Sequence, residues 1–368
     1  MRKICVVTAA RSEYGHLKWL IHDLQQRNDI ETQIVVTGGH LDENQGHTID
    51  EIIADNVKIA KVVDVEVSNS SAKELTDTMG RYMLAFSEAF NELKPDILVV
   101  LGDRYELLPI CSVAFIQGIK IAHISGGDVT EGALDDNVRN TATMLATYHF
   151  PGNPGSAKNI ERMRNTSENI YSVGEPSLEA FNRITLLTRE QLAENLGLDI
   201  NKKWALFTLH SETTKSIEYN VNMAEALFKS ISKLEKYQIV ITKANTDLGG
   251  KEINDYFESV VKMNSDKFKI IPSLGQLRYL SYMKQVDFVI GNSSSGIVES
   301  PFLSIPTVNI GDRQKGRYLC DNIVQSDVDE ESITESIKVA LEKEISPKDK
   351  YFWGDGNTAE KIIRVICE

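Results

Sequence analysis

Asp287-Phe288-Val289-Ile290-Gly291-Asn292-Ser293-Ser294-Ser295-Gly296-Ile297-Val298-Glu299 reads as a short apolar strand, a small-residue turn and the opening of a helix. A β-branched run that breaks at glycine and serine and passes directly into a helical pattern is one half of a βαβ unit. The same grammar recurs in both directions. Upstream in the second half lie Ala205–Leu209, Ile239–Thr242 and Lys269–Ile271, and downstream lies Thr307–Ile310. The first half offers Ile4–Thr8, Gln33–Thr37, Ile97–Leu101 and Ile119–Ile124, with amphipathic stretches such as Lys73–Leu93 between them. This alternation predicts parallel sheets covered on both faces by helices. The expected fold class is α/β, with two doubly wound, Rossmann-like domains facing each other across a cleft. The expected boundaries are residues 1–173 for the first domain, 174–355 for the second, and 356–368 for a terminal helix that packs back on the first.

Composition narrows the function. The 368 residues are 42% apolar and 25% charged, ordinary values for a packed globular chain. The formal net charge of −13 lacks the broad basic footprint of a nucleic-acid binder, although a few arginines can still gather around a phosphate. The four cysteines, Cys5, Cys111, Cys320 and Cys367, stand far apart, with no CxxC pair and no zinc spacing. They suit a reduced, cytoplasmic chain, and no metal site is expected. No apolar run approaches the roughly 18 residues that cross a bilayer, and Ile4–Val7 reads as a first strand, not a signal peptide.

Ligands of open parallel sheets sit beyond the carboxyl ends of the strands, so the residues that follow each strand are the candidates. After the first strand comes Arg11, which is either a surface charge or a ligand contact. After Ile97–Leu101 comes Asp103, an N-cap for the next helix or a cleft carboxylate. After Ile119–Ile124 comes Ser125-Gly126-Gly127-Asp128-Val129-Thr130-Glu131-Gly132-Ala133-Leu134-Asp135-Asp136. Asp128 reads as a solvated turn residue. Several carboxylates in one cleft can be pushed to different pKa values, which suits acid and base work. In the second half His210 and Asn245 each follow a strand. Ser293, Ser294, Ser295 and Gly296 surround the amides that open a helix, an anion site assisted by the helix dipole. Glu299 lies one turn on, in reach of ribose hydroxyls, and Arg313 sits on a cationic loop after the next strand. Neither GxGxxG nor GxxxxGK[ST] is present.

Taken together, Ala10 to Tyr14, Gly38 to Leu41, Lys94-Pro95-Asp96 through Gly102-Asp103-Arg104, His123 to Gly127, Asp135-Asp136, Gly291 to Gly296, Gly311 to Gln314 and Tyr351 to Asn357 form an ordered set across nearly the whole chain. This set resembles the hydrolysing UDP-N-acetylglucosamine 2-epimerases of sialic acid synthesis, enzymes of GT-B fold. The resemblance implies a reaction without metal or other cofactor. A base removes the C2 proton, UDP leaves by anti elimination, and water adds to the 2-acetamidoglucal to give N-acetylmannosamine. It implies acid/base roles for Asp103, Asp135 and Asp136, and leaving-group or diphosphate contacts for Arg11 and His210. It implies phosphate contacts for the serine loop and Arg313, a ribose contact for Glu299, and a weaker match at Asn245. Expected partners are a UDP-sugar and UDP, with no nucleic acid and no membrane, in a homodimer or homotetramer. One departure stands out. Several members read His-Ile-Glu-Gly-Gly where this chain has Ser125, and Glu131 is the carboxylate expected to fill that role. A UDP-2,4-diacetamido-6-deoxy sugar is the alternative substrate. Two competing readings are a GT-B glycosyltransferase, for which no acceptor site is marked, and a silent UDP-sugar sensor, against which the retained carboxylates argue.

Overall fold

The structure is a computed structural model that describes residues 1–368 except 44–45, 69–70, 130–134, 246 and 263. It divides into two compact units, Met1–Ala180 with Gly354–Glu368, and Phe181–Trp353. In the first unit the strands are β1 (Arg2–Thr8), β2 (Ile30–Thr37), β3 (Ile59–Val63), β4 (Ile97–Leu101), β5 (Lys120–Ile124) and β6 (Tyr148–Phe150). In the second they are β7 (Lys203–Thr208), β8 (Tyr237–Thr242), β9 (Phe268–Ile271), β10 (Phe288–Gly291), β11 (Thr307–Ile310) and β12 (Ile323–Ser326). The sheet orders are β3-β2-β1-β4-β5-β6 and β12-β11-β10-β7-β8-β9, with every pairing parallel. Both are the doubly wound order, and the chain reverses direction between β1 and β4 and between β7 and β10. Those are the points where such sheets bind ligands.

The central strands form because their residues can be buried on both faces. Ile4, Val6, Ile97 and Val99 pack into one core layer, and Cys5, Val7, Leu98 and Val100 into the other. The sequence reading missed β3, β6 and β12. β3 and β12 are sheet edges with interrupted burial, and β6 is only three residues long. None of these carries the apolar run that marks a doubly covered strand.

The 174–180 segment belongs to the first unit, seven residues beyond the expected boundary. Leu178 and Ala180 are buried, and the Glu179 carboxylate accepts the amide of Ala359 at 2.8 Å. The last helix, Thr358–Cys367, contributes Ala359, Ile362, Ile363 and Ile366 to the same core as Leu17, Leu20, Ile21 and Leu24. Among the described residues no helix is long and apolar enough to cross a membrane.

Candidate active site

In the first unit the site is organised around a residue that sequence reading passed over. Arg139 lies in the helix Asp135–Leu145 and is 2% exposed. Its guanidinium pairs with Asp103 after β4, with Asp136 at 2.6 Å, and with the carbonyl of Asp128 at 3.0 Å. Burial works against the Arg139 charge, but Asp103 and the other neighbouring carboxylates outweigh it and raise its pKa. Two carboxylates from different elements thus converge on one cation without bare mutual repulsion. Asp103 is therefore not spent on a cap: the next helix begins at Leu107, with Glu106 at the cap position. Asp135 and Asp136 lie inside their helix, not ahead of it. Asp128 departs from the expected solvated turn. It is half-buried, and Ser156 donates to its carboxylate at 3.3 Å. Glu131 lies outside the described residues.

The Ser125 loop is built by local steric demand. Ser125 has φ 58° and Gly127 φ 77°, both left-handed. A side chain on Gly126 would meet Thr143 Oγ1 at 2.8 Å and His123 Nδ1 at 2.9 Å. His123 is fully buried, and its Nε2 lies 2.8 Å from the carbonyl of Gly102, tying the end of β5 to the end of β4. Burial lowers the His123 pKa to about 4, so at neutral pH its Nε2 carries the proton it gives to that carbonyl. The Ser125 hydroxyl donates to Glu175 Oε2 at 3.0 Å.

Arg11 opens the helix Arg11–Gln25 and pairs with Glu51 at 3.0 Å, both side chains half-exposed. Nearby, Glu13 is buried and accepts the amides of Ala9 and Ala10 at 2.6 and 3.1 Å. Burial raises its pKa to about 7 despite those hydrogen bonds.

In the second unit the hub is Asn292, fully buried at the end of β10. Gly291, with φ 134°, lets β10 end flush against the carbonyl of Thr208, where a Cβ would clash. The Asn292 side chain then clasps His210 on both sides, accepting its amide at 2.8 Å and donating to its carbonyl at 2.8 Å. The carbonyl of Asn292 accepts Arg313 Nη1 at 3.1 Å and Gln314 Nε2 at 2.9 Å. One residue therefore fastens three strand-end loops. Burial, reinforced by Arg313 and opposed by Asp247, lowers the His210 pKa to about 4. Its Nδ1 accepts the amide of Asn245 at 3.1 Å. A neutral ring with Nδ1 accepting carries its proton on Nε2, so His210 presents a hydrogen-bond donor. Asn245 acts here through its backbone, since its side chain donates to Asp247 at 2.5 Å.

The helix Ser295–Leu303 opens after the serine turn. Ser293 and Ser295 hydroxyls lie 3.0 Å apart, and Tyr279 Oη lies 2.5 Å from Ser295. Ser294 is exposed at the cap position and makes no side-chain cap. The amides of Gly296, Ile297 and Val298 close onto the carbonyls of Ser293 and Ser294 at 2.9 to 3.1 Å, so the expected bare helix amides already have partners. Gly296 is packed against Thr307, whose methyl would lie 3.2 Å from a Cβ. Glu299 is half-buried one turn along the helix. Arg313 has its pKa lowered by burial, with Arg317 acting in the same direction. Among the described residues no group of three His, Cys, Asp or Glu side chains could hold a metal ion.

The family model described as UDP-N-acetylglucosamine 2-epimerase matches residues 22–367. The chain is similar to the GDP/UDP-N,N'-diacetylbacillosamine 2-epimerase (hydrolyzing) of Campylobacter jejuni, with 36% identity over 89% of this chain and 85% of that protein. It is similar to the UDP-N,N'-diacetylbacillosamine 2-epimerase (hydrolyzing) of Legionella pneumophila, with 31% identity over 100% and 96%. In fold it resembles the crystal structure of UDP-GlcNAc 2-epimerase from Neisseria meningitidis bound to UDP-GlcNAc, with TM-score 0.80, 18% identity and 99% of each chain covered. Two doubly wound sheets and a match along almost the full length make this chain a member of the hydrolysing UDP-N-acetylglucosamine 2-epimerase family.

Proposed function

We propose that the protein is a hydrolysing 2-epimerase of a UDP-2,4-diacetamido-6-deoxy sugar, releasing UDP and the free 2-epimeric sugar. The observation that carries the choice of sugar is the 36% identity with the Campylobacter diacetylbacillosamine enzyme, against 27% with the Neisseria UDP-N-acetylglucosamine 2-epimerase. This favours the second of the two substrates expected from sequence. UDP-N-acetylglucosamine remains the other reading, because that Neisseria relative matches 100% of this chain.

The chemistry is the elimination and hydration expected of a hydrolysing 2-epimerase. The C2 proton is removed by a carboxylate as the C1–O bond breaks, and the electron pair of that bond leaves on UDP. Water then supplies the C1 hydroxyl and C2 regains a proton on the opposite face. Proton transfer falls to carboxylates of the first unit, with Asp103 and Asp136 positioned by Arg139, and with Asp135 and Glu131 as further candidates. In the second unit His210 Nε2 donates to the leaving diphosphate, with Arg313 and the hydroxyls of Ser293, Ser294 and Ser295 as further phosphate contacts, and Glu299 accepts from the ribose. A donor already oriented in the ground state stabilises developing charge without reorganising. The test is UDP release from each UDP-sugar with no acceptor added. The expected result is faster turnover of the diacetamido sugar and formation of its free 2-epimer. Release from UDP-N-acetylglucosamine alone would assign the other substrate, and release from neither would remove the epimerase reading.

A further inference from the structure

Four consecutive strand ends of the first sheet carry Asp103, Ser125, Gly152 and Glu175. Asp103 follows β4, Ser125 follows β5 and Gly152 follows β6. The fourth is an extended segment alongside β6. His149 N–H donates to the carbonyl of Asn169 at 2.8 Å, Tyr171 N–H to that of His149 at 2.9 Å, and Val173 N–H to that of Pro151 at 3.1 Å. That ladder delivers Glu175 to the same carboxyl edge as Asp103.

The surroundings are shaped to its carboxylate. Glu175 stands at the cap position of the short turn Pro176–Leu178, yet its side chain makes no cap bond. It turns instead to Ser125, whose hydroxyl donates to Oε2 at 3.0 Å from a left-handed backbone that serine rarely adopts. On the other side it lies directly over Gly152. The three nearest heavy atoms to a Cβ built there all belong to the Glu175 side chain, and that Cβ would overlap Oε1. Gly152 does not have the left-handed backbone that only glycine tolerates readily, so what a methyl would displace is this carboxylate. A serine in a costly conformation and a glycine without another conformational need thus hold one carboxylate beside Asp103's strand.

We propose that Glu175 is the base that removes the C2 proton of the UDP-sugar. The assignment rests on the epimerase reading above. In the step, Glu175 takes the proton, the C2–H electron pair forms the C1=C2 bond, and the C1–O pair departs on UDP. The Ser125 hydroxyl keeps its own hydrogen, donates it in a hydrogen bond to Oε2 throughout and so orients the carboxylate, and Asp103 and Asp136 remain engaged with Arg139. Ser125 is then a positioning residue, and the carboxylate missing from its side chain is supplied from position 175.

The test uses the full-length enzyme and its UDP-sugar. Glu175→Gln keeps an acceptor for Ser125, so the fold should hold. Its kcat should fall about 10²-fold or more, the scale of general acid–base catalysis, with KM and UDP affinity nearly unchanged. C2-deuterated substrate should show a larger isotope effect on kcat than in the parent. Gly152→Ala leaves Glu175 in the chain but displaces it, and should lower kcat in the same direction without lowering Tm comparably. Moving the carboxylate, Ser125→Glu with Glu175→Ser, should recover at least about tenfold over Glu175→Ser alone. A Glu175→Gln enzyme within about threefold of the parent kcat overturns the assignment while the parent's own turnover upholds the epimerase reading. A parent that releases no UDP overturns both.

Discussion

Asn292→Ala removes the clasp that seats His210. Two hydrogen bonds go, from the His210 amide and to its carbonyl, each 2.8 Å, at a residue with no exposed surface. A buried backbone group left without its partner costs about 1–3 kcal/mol. Two such groups give about 2–6 kcal/mol, and partial relaxation of the loop argues for the lower half. In a unit of this size about 1 kcal/mol corresponds to roughly 2–4 °C in Tm. The expected loss is therefore about 4–16 °C, read by calorimetry on the intact chain. His210 would also lose its fixed orientation while Asn245 N–H still holds Nδ1. UDP release should drop with little change in KM, because a misaimed donor fails mainly where charge develops. Asn292→Asp separates the two contacts: it keeps the acceptor for the amide and sets a carboxylate against the carbonyl. If Asn292→Ala shifts Tm by less than about 2 °C and leaves kcat within threefold, Asn292 is not the hub and His210 is held by something else.

Arg139→Met should cost about 2–4 kcal/mol and slow UDP release at least about 10²-fold, because Asp103 and Asp136 lose their common cation. Urea unfolding and steady-state kinetics check this, and a stable, active variant would refute it. Arg313→Ala should weaken UDP by about 1–3 kcal/mol in titration calorimetry, the range for hydrogen bonds to charged groups. Unchanged affinity would displace the diphosphate from that loop. Acid should unfold the first unit first. His40 and His123 have pKa values lowered to about 4 and His149 to about 3, chiefly by burial, whereas the second unit's lowered histidine is His210 alone. A histidine whose folded pKa lies below its unfolded value near 6.5 loses stability as pH falls from about 6.5 to 4. Glu13, raised to about 7, opposes this, since its stabilisation is complete below about 4.5 and fades as pH rises through 7. With His16, whose pKa burial also lowers, four histidines of the first unit outweigh one carboxyl. Segment-resolved hydrogen exchange at pH 5 would show loss of protection in the first unit, and earlier loss in the second would contradict the balance.

Sequence carried the fold wherever a strand is buried on both faces, as at Ile97–Leu101, because continuous β-branched and aliphatic runs have few other uses. It failed at edges such as Ile59–Val63, where Lys61 interrupts the run and pairing with β2 decides the conformation. It located the loops that carry Asp103, His210 and Arg313. It did not show what organises them. Arg139 reads locally as a polar helix residue three positions from Asp136, and only tertiary structure brings Asp103 to it across 36 residues. Asn292 precedes three serines whose hydroxyls are the more evident anion ligands, yet its side-chain amide reaches 82 residues back to His210. Glu175 is absent from the candidates read from sequence, since nothing nearby in sequence reveals that Gly152 makes room for it.

The return of the chain to its starting unit sets an order of assembly. Phe181–Trp353 is an insertion, and its own core is complete in sequence once Trp353 has been synthesised. The earlier part of the chain must wait. Ile362, Ile363 and Ile366 cover the helix that carries Leu17, Leu20 and Leu24, and Arg2 reaches the carbonyl of Ile366 at 2.7 Å. During translation, the later-made unit can therefore mature while the earlier-made one still exposes an apolar face. A nascent chain stalled just past Trp353 should bind chaperones through residues it made first.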